Sequence, residues 1–515
     1  MLRELSITHF ALIDELRVEF GAGLNVLTGE TGAGKSILID ALGLALGTKG
    51  EAEQIRTGAE EATVEAAFDL VGEEARRPLA DSGIECLPDE FLVVRRLLLR
   101  EGKSKAYVNG RLSSAALLRD LAELLIEVHG QHQGPGLTQP SRQRLLLDAY
   151  AGLTGDVAAF RVLYNRRQAL REELGSLQAG EREKAQRIDL LQHQRGEIAA
   201  ARLTDGEEEE LIQERTILAH VASIQDAAAQ LRDYREGVEF DPERLEQVEV
   251  RLHEVGKLKR KYGGSIAEIL KFARSADEEL HRLMRSEERG LEVERELGAL
   301  EANLSQQAAA LTARRTAAAA RLAMAVRQEL QALRMEKAAF AVQVRARPGS
   351  GGSHLEASGA DEVEFLIAPN PGEELKPLGR IASGGELSRV MLAIKAILAA
   401  SDQIPTLVFD EVDVGIGGGM AEVVGQKLWA IGRERQVLSI THLPQIAALA
   451  DRHLSISKRV KGTRTETAVQ VLDGEEKVRE IARMLGSKGR SRTPIQHAQE
   501  ILEAARRWKA ANSRP

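Results

Sequence analysis

A chain of 515 residues exceeds one domain of ordinary size, and its 70 basic against 78 acidic residues leave a net charge of -8. That balance excludes a uniformly basic nucleic-acid binder, though not a local basic groove. The single cysteine, Cys86, excludes a disulfide framework, an all-cysteine metal site within one chain and the paired cysteines of a zinc hook, and no apolar run reaches the about 18 residues of a membrane span. With no signal peptide visible either, a cytoplasmic protein without a membrane partner is expected.

Leu2, Leu5, Ile7 and Phe10 open a strand-rich edge that near alternation continues through residues 11–20. Residues 24–28 read as a short buried strand, followed by the turn Gly29-Glu30-Thr31-Gly32-Ala33-Gly34-Lys35-Ser36 and a helix over 36–46. That turn matches Gly-x4-Gly-Lys-Ser/Thr in full, between a strand and a helix. Its glycines let backbone N–H groups face phosphates, and the helix N-terminus adds a positive end. Gly29, Thr31, Gly32, Ala33 and Gly34 form the cradle, Lys35 addresses the β- and γ-phosphates of ATP, and Ser36 is a ligand for Mg2+. Further strands are expected at 63–70 and 91–98, and residues 106–111 read as a hairpin turning on Asn109-Gly110.

From about residue 155 the period lengthens. Phe160, Leu174 and Ile188 share one heptad position, and Leu163, Leu170, Leu177, Leu191 and Ile198 share its partner. On the return, Leu297, Leu300, Leu304 and Leu311 lead into Leu322, Val326, Leu330 and Leu333. Glu181, Lys184 and Arg195 interrupt the seam, and breaks are expected at 202–206, 240–242 and 261–264, where Pro and Gly oppose a regular helix. Equal arms put the tip of an antiparallel coiled coil near 237–242 within residues 153–335. An unbroken arm would reach about 120 Å, and the breaks bring this to about 80–100 Å.

The α/β pattern resumes at 336, with Phe340, Val342 and Val344 and then Val363, Phe365 and Ile367 alternating. Ser383-Gly384-Gly385-Glu386 sets two glycines at a helix start, a second anion-binding end. Residues 29–36 already supply a full cradle, so this end is expected to close on nucleotide held by another head. The run Leu407-Val408-Phe409 reads as a buried parallel strand ending in Asp410 and Glu411. Asp410 is placed on Mg2+ through water and Glu411 on the attacking water. Asp413 and His442 follow at suitable distances downstream.

The order of phosphate loop, coiled coil, Ser-Gly-Gly-Glu, Asp-Glu strand end and His442 resembles the SMC-like branch of ABC-type ATPases, and within it bacterial DNA-repair members. Supporting strings are Val128-His129-Gly130-Gln131-His132-Gln133, Leu258-Lys259-Arg260-Lys261-Tyr262-Gly263, Asn370-Pro371-Gly372-Glu373 and Ile440-Thr441-His442-Leu443-Pro444-Gln445. The resemblance implies an α/β ABC-type ATPase head assembled from residues 1–152 and 336–515, plus the long antiparallel α-helical coiled coil. It implies that Gln131, rather than Gln133, senses Mg2+ and the γ-phosphate, that Arg56 reaches the phosphate region, and that Asp413 and His442 complete the nucleotide site. It also implies double-strand break repair, with ATP-driven head engagement coupled to holding DNA, recombination proteins as partners and a place at the nucleoid. With only about 190 residues between the head halves, no ordinary hinge domain fits, so a homodimer is expected through heads or tip. Arg166, Arg167, residues 257–261 and the basic residues from Lys488 onward are the available DNA contacts, with a solvated helix face as the plainer reading of the first two. A transporter's energy subunit would lack the long insertion. A coiled-coil scaffold in which nucleotide only locks conformation would not need Glu411.

Overall fold

Near alternation of buried and less buried positions builds the first sheet. The computed structural model describes residues 1–29, 35–69, 76, 79–84, 90–130, 136–230, 241–347, 354–380, 384–399, 402, 404–461, 464–486 and 492–513. Strands β1 (Leu2–Phe10) and β2 (Ile13–Glu19) pair antiparallel, with Leu5 opposite Val18 and Ile7 opposite Leu16. β3 (Leu24–Gly29) leaves for a second sheet and is followed by helix α1 (Lys35–Ala45). β4 (Glu61–Asp69), β5 (Phe91–Leu99), β6 (Lys105–Val108) and β7 (Arg111–Ser113) complete the order β2-β1-β4-β5-β6-β7. The expected hairpin turns on Asn109 and Gly110 with φ of 47° and 76°, the left-handed pair that a two-residue turn requires. Helix α2 (Ala115–Leu125), strand β8 (Ile126–His129) and helix α3 (Pro140–Tyr150) follow.

Residues 160–307 form a compact unit of their own. Here α4 (Thr154–Gln178), α5 (Glu181–Ala200) and α6 (Glu207–Gln230) pair with α7 (Pro242–Tyr262) and α8 (Ile266–Ala332). The pairing is antiparallel: Arg171 meets Glu301 at 2.6 Å, Arg187 meets Glu279 at 2.9 Å and Arg244 meets Glu214 at 2.6 Å. Exposed pairs of this kind contribute about 0.2–1 kcal/mol each. Cohesion therefore comes from the buried seam of Leu170, Leu191, Ile198, Val293 and Leu304, while the charges set the register. Arg166 and Arg167 pair with Glu296 and Glu301, and Lys259 with Glu208, so these basic residues serve the arm itself. The breaks expected at 202–206 and 261–264 fall between α5 and α6 and between α7 and α8. An additional break follows α4, where Gly180 adopts a φ of 80°. At the expected tip, residues 237–240 lie outside the described residues, whereas Asp241 caps α7 by accepting from the Arg244 N–H at 2.9 Å.

The C-terminal part begins with β9 (Ala339–Ala346) and β10 (Asp361–Ala368), which pair with Phe365 opposite Val342, and β11 (Lys376–Pro377) at their edge. Then come α9 (Gly384–Leu398), β12 (Thr406–Phe409), α10 (Gly418–Gly432), β13 (Gln436–Ile440), α11 (Pro444–Ala448), β14 (Arg452–Lys461), β15 (Arg464–Leu472), α12 (Gly474–Met484) and α13 (Arg492–Asn512). These strands join β3 and β8 in a second sheet of order β15-β14-β3-β13-β12-β8, parallel throughout except for β15. Every residue of β12 and β13 is buried, as suits strands covered on both faces. One face packs α1 and the first sheet against Leu27, Val408, Leu438 and Ile440. The other packs α9 and α10 against Val26, Leu407, Phe409 and Val437. Neither half of the chain builds this sheet alone, so the α/β head is assembled from both, and the antiparallel helices lie between them in sequence.

A buried ion cluster also joins the halves. Lys395 of α9 donates to Glu127 of β8 and to Asp402, and Arg142 of α3 reaches the second oxygen of Asp402 at 3.0 Å. Burial alone would raise the Glu127 carboxyl, but the Lys395 ammonium holds it below the usual carboxylate range. Asp402 is held down in the same way, and Lys395 is raised above the ordinary lysine value by its two carboxylates despite its burial.

Candidate functional site

Four adjacent parallel strands end along one edge of the second sheet, and a predicted motif follows each of them, while residues 383–386 lie at the start of α9. β3 leads into 29–36, β13 into Thr441-His442, β12 into Asp410-Glu411 and β8 into Gly130-Gln131. Neighbouring strands lie about 4.8 Å apart, so the four ends fall within about 15 Å. The carboxyl edge of an open α/β sheet is where ligands bind, because helix N-termini and loops converge there.

On the phosphate side, Gly29 has a φ of 151°, and a Cβ there would come within 2.3 Å of the Ile456 carbonyl oxygen, so only glycine fits. The Lys35 Nζ donates to the Gly29 carbonyl at 2.9 Å, and Ser36 lies exposed in the first turn of α1. Thr31, Gly32, Ala33 and Gly34 lie outside the described residues. Burial lowers the Lys35 pKa and the nearby Arg483 charge lowers it further, against the opposing pull of Asp413, Asp410 and Glu480.

On the acid side, the Asp410 N–H donates to the His129 carbonyl at 2.8 Å, and its Oδ1 accepts from the Glu411 N–H at 2.9 Å. Glu411 sits at a φ of 57°, a left-handed conformation that costs a non-glycine residue on the order of 1–3 kcal/mol and concentrates at functional sites. Gly130 presses on this turn, since a Cβ there would lie 2.8 Å from that of Asp410. The start of α9 packs on it as well: a Cβ on Gly385 would lie 3.3 Å from the Glu411 carbonyl, and the Ser388 hydroxyl donates to the Asp410 carbonyl at 2.9 Å. Gly384 opens α9 and Glu386 lies half-buried in its first turn. Gln131 and Ser383 lie outside the described residues.

Asp413 is buried, and its Oδ2 takes the Thr441 hydroxyl at 2.6 Å, the His442 N–H at 2.8 Å and the His442 Nδ1 at 2.9 Å. It therefore orients the imidazole of its own chain, whose side chain stays 59% exposed beside the edge. Arg56 is anchored on the β1–β2 hairpin, with its guanidinium on the Leu12 carbonyl at 2.6 Å and on Asp14 at 3.4 Å.

Sequence reading missed a group beside the end of β3. Thr28 donates its hydroxyl to Glu480 at 2.8 Å and lies 2.9 Å from the His453 Nε2, while Arg483 grips Glu480 through two contacts of 2.7 Å. The i,i+3 spacing of Glu480 and Arg483 on α12 was the available signal, and it points to a surface pair, not to Thr28.

The RecF/RecN/SMC N terminal domain model matches residues 1–465. The DNA repair protein RecN of Halalkalibacterium halodurans is 39% identical over 560 residues, covering 98% of this chain and 99% of that one. RecN of Bacillus subtilis is 37% identical over 573 residues, with coverage of 98% and 99%. Among solved structures, the Smc head domain with a coiled coil and joint from Pyrococcus yayanosii has a similar fold, with a TM-score of 0.54 at 17% identity over 94% of this chain and 99% of that one.

Proposed function

The chain belongs to the RecN group of the RecF/RecN/SMC family, and on that premise we propose that it is an ATP-hydrolysing protein of DNA double-strand break repair whose heads dimerise on ATP and bridge DNA. The observation that carries this reading is the alignment of four motif-bearing strand ends on one sheet edge, with Lys35 after β3 and Glu411 after β12, one strand apart.

In this reading residues 29–36 bind the phosphates, Glu411 takes a proton from the attacking water, and Asp413 holds His442 toward the reacting end. The Ser36 hydroxyl and the Asp410 carboxylate are hard oxygen donors of the kind Mg2+ accepts, and they fit that ion. When bound, Mg2+ neutralises charge on the phosphate oxygens. Gln131 and Arg56 join the site as proposals of the same kind. Residues 383–386 close on nucleotide carried by a second copy, which makes head pairing part of the cycle. Glu411 distinguishes this from a scaffold locked by nucleotide, because a lock does not need a proton acceptor on a strained turn. No helix among the described residues is long and apolar enough to cross a membrane. Kinship with DNA repair proteins supports the cytoplasm, at the nucleoid, as the site of action.

Lys35→Ala tests the nucleotide site directly. Losing a charge-assisted contact to phosphate costs about 1.5–3 kcal/mol, so ATP affinity is expected to fall about 10–100-fold in equilibrium titration. Unchanged affinity would remove residues 29–36 from the site.

A further inference from the structure

The group beside the end of β3 is more elaborate than a structural brace requires. Thr28 immediately precedes Gly29, whose carbonyl receives Lys35. Its hydroxyl proton goes to Glu480, so its lone pair faces the His453 Nε2, which donates. Burial holds the His453 pKa down to about 4, so the ring is neutral, with its proton on Nε2. Thr28, His453 and Glu480 are all buried and fix one another in place.

Onto that base is set an arginine fork. The Arg483 Nε meets the Glu480 Oε2 and its Nη2 meets Oε1, each at 2.7 Å, the bidentate geometry that orients a guanidinium. Its side chain is 41% exposed while Glu480 is buried, so the carboxylate is sunk and the cation is presented outward. An ordinary i,i+3 surface pair stabilises a helix by only about 0.2–0.5 kcal/mol and does not call for a buried carboxylate. Through Glu480 and Thr28 the guanidinium is tied to the residue before Gly29, whose carbonyl receives the Lys35 ammonium. Burial and the Arg483 charge lower the Lys35 pKa, while Asp413 raises it. Glu480 uses the Nε and one Nη of Arg483 and leaves the guanidinium charge at the root of the loop, where phosphate is the anion to be bound.

Resting on the nucleotide-site reading above, we propose that Arg483 is a further phosphate-binding residue, a second cation beside Lys35 that Glu480 and Thr28 hold at the root of the loop. It links helix α12 to the nucleotide, so that the C-terminal part of the head registers polyphosphate directly.

The test uses the full chain, with fluorescent analogues of ATP, ADP and AMP titrated at equilibrium in wild type, Lys35→Ala, Arg483→Ala, Arg483→Gln and Arg483→Lys. Arg483→Ala and Arg483→Gln are expected to weaken ATP binding by about tenfold or more, the size of a lost charge-assisted contact. The loss shrinks from ATP to AMP as phosphates are removed, and Arg483→Lys recovers most of the affinity by restoring the charge. A brace without a phosphate role would instead weaken all three nucleotides equally, and that result overturns the proposal. Wild-type ATP affinity in Arg483→Gln overturns it too, provided Lys35→Ala has lost binding. If the wild-type chain itself binds no ATP, the nucleotide-site reading fails instead.

Discussion

Glu411→Gln is expected to lower ATP turnover by about 10²–10⁴-fold, the usual contribution of a positioned proton acceptor, while nucleotide binding persists. The amide keeps the shape of the side chain but cannot take a proton from water. The turn that carries it is held by backbone, through the Asp410 N–H on the His129 carbonyl and the Val414 N–H on the Glu411 carbonyl at 3.1 Å. Geometry therefore survives the substitution, and the effect belongs in kcat rather than in affinity. Steady-state turnover alongside equilibrium binding separates the two. Equal turnover in variant and wild type would remove Glu411 from the chemistry.

Lys395→Met carries the largest expected effect on stability. Lys395 is fully buried between Glu127 and Asp402, and methionine would leave both carboxylates in the core, only Asp402 still meeting Arg142. Breaking a buried ion pair from one side costs about 3–5 kcal/mol, because the Glu127 carboxylate is left buried with the Leu137 N–H but without its neutralising cation. The cluster ties β8 to α9, so the loss falls on the joint between the two halves of the head. Urea unfolding of the single variant, beside one that also carries Glu127→Gln and Asp402→Asn, measures it. The triple variant is expected to recover much of the loss, since replacing a whole ionic group costs far less than breaking it. A Lys395→Met midpoint equal to wild type would contradict this assignment.

The strand and helix that flank residues 29–36, the strand that ends at Asp410 and the strands around Val342 and Val363 were legible because each is written in a short local string. Period, turn residues and flanking apolar runs carry that information without knowledge of what lies across the fold. The breaks between α5 and α6 and between α7 and α8 were legible for the same reason. Thr28 and Glu480 meet across 452 positions, and Glu127 and Lys395 across 268, so neither pairing leaves a local pattern. Arg315 makes the same point: on a helix read only as a coiled-coil return, it is fully buried between Asp148 at 2.7 Å and Asp361 at 2.9 Å. A polar residue on a heptad helix reads as solvated unless its distant partners are known. The left-handed turn at Glu411 was also hidden, since glutamate is not a residue that sequence reading assigns to that conformation.

A head that completes its nucleotide site with a second copy and couples that site to DNA has a distinct kinetic signature. ATP turnover measured against protein concentration, with and without linear double-stranded DNA and with Glu411→Gln as the blank, tests it most directly. Turnover rising more than linearly with protein and stimulated by DNA is the expected result. Turnover that is linear in protein and indifferent to DNA would contradict both the shared site and the coupling.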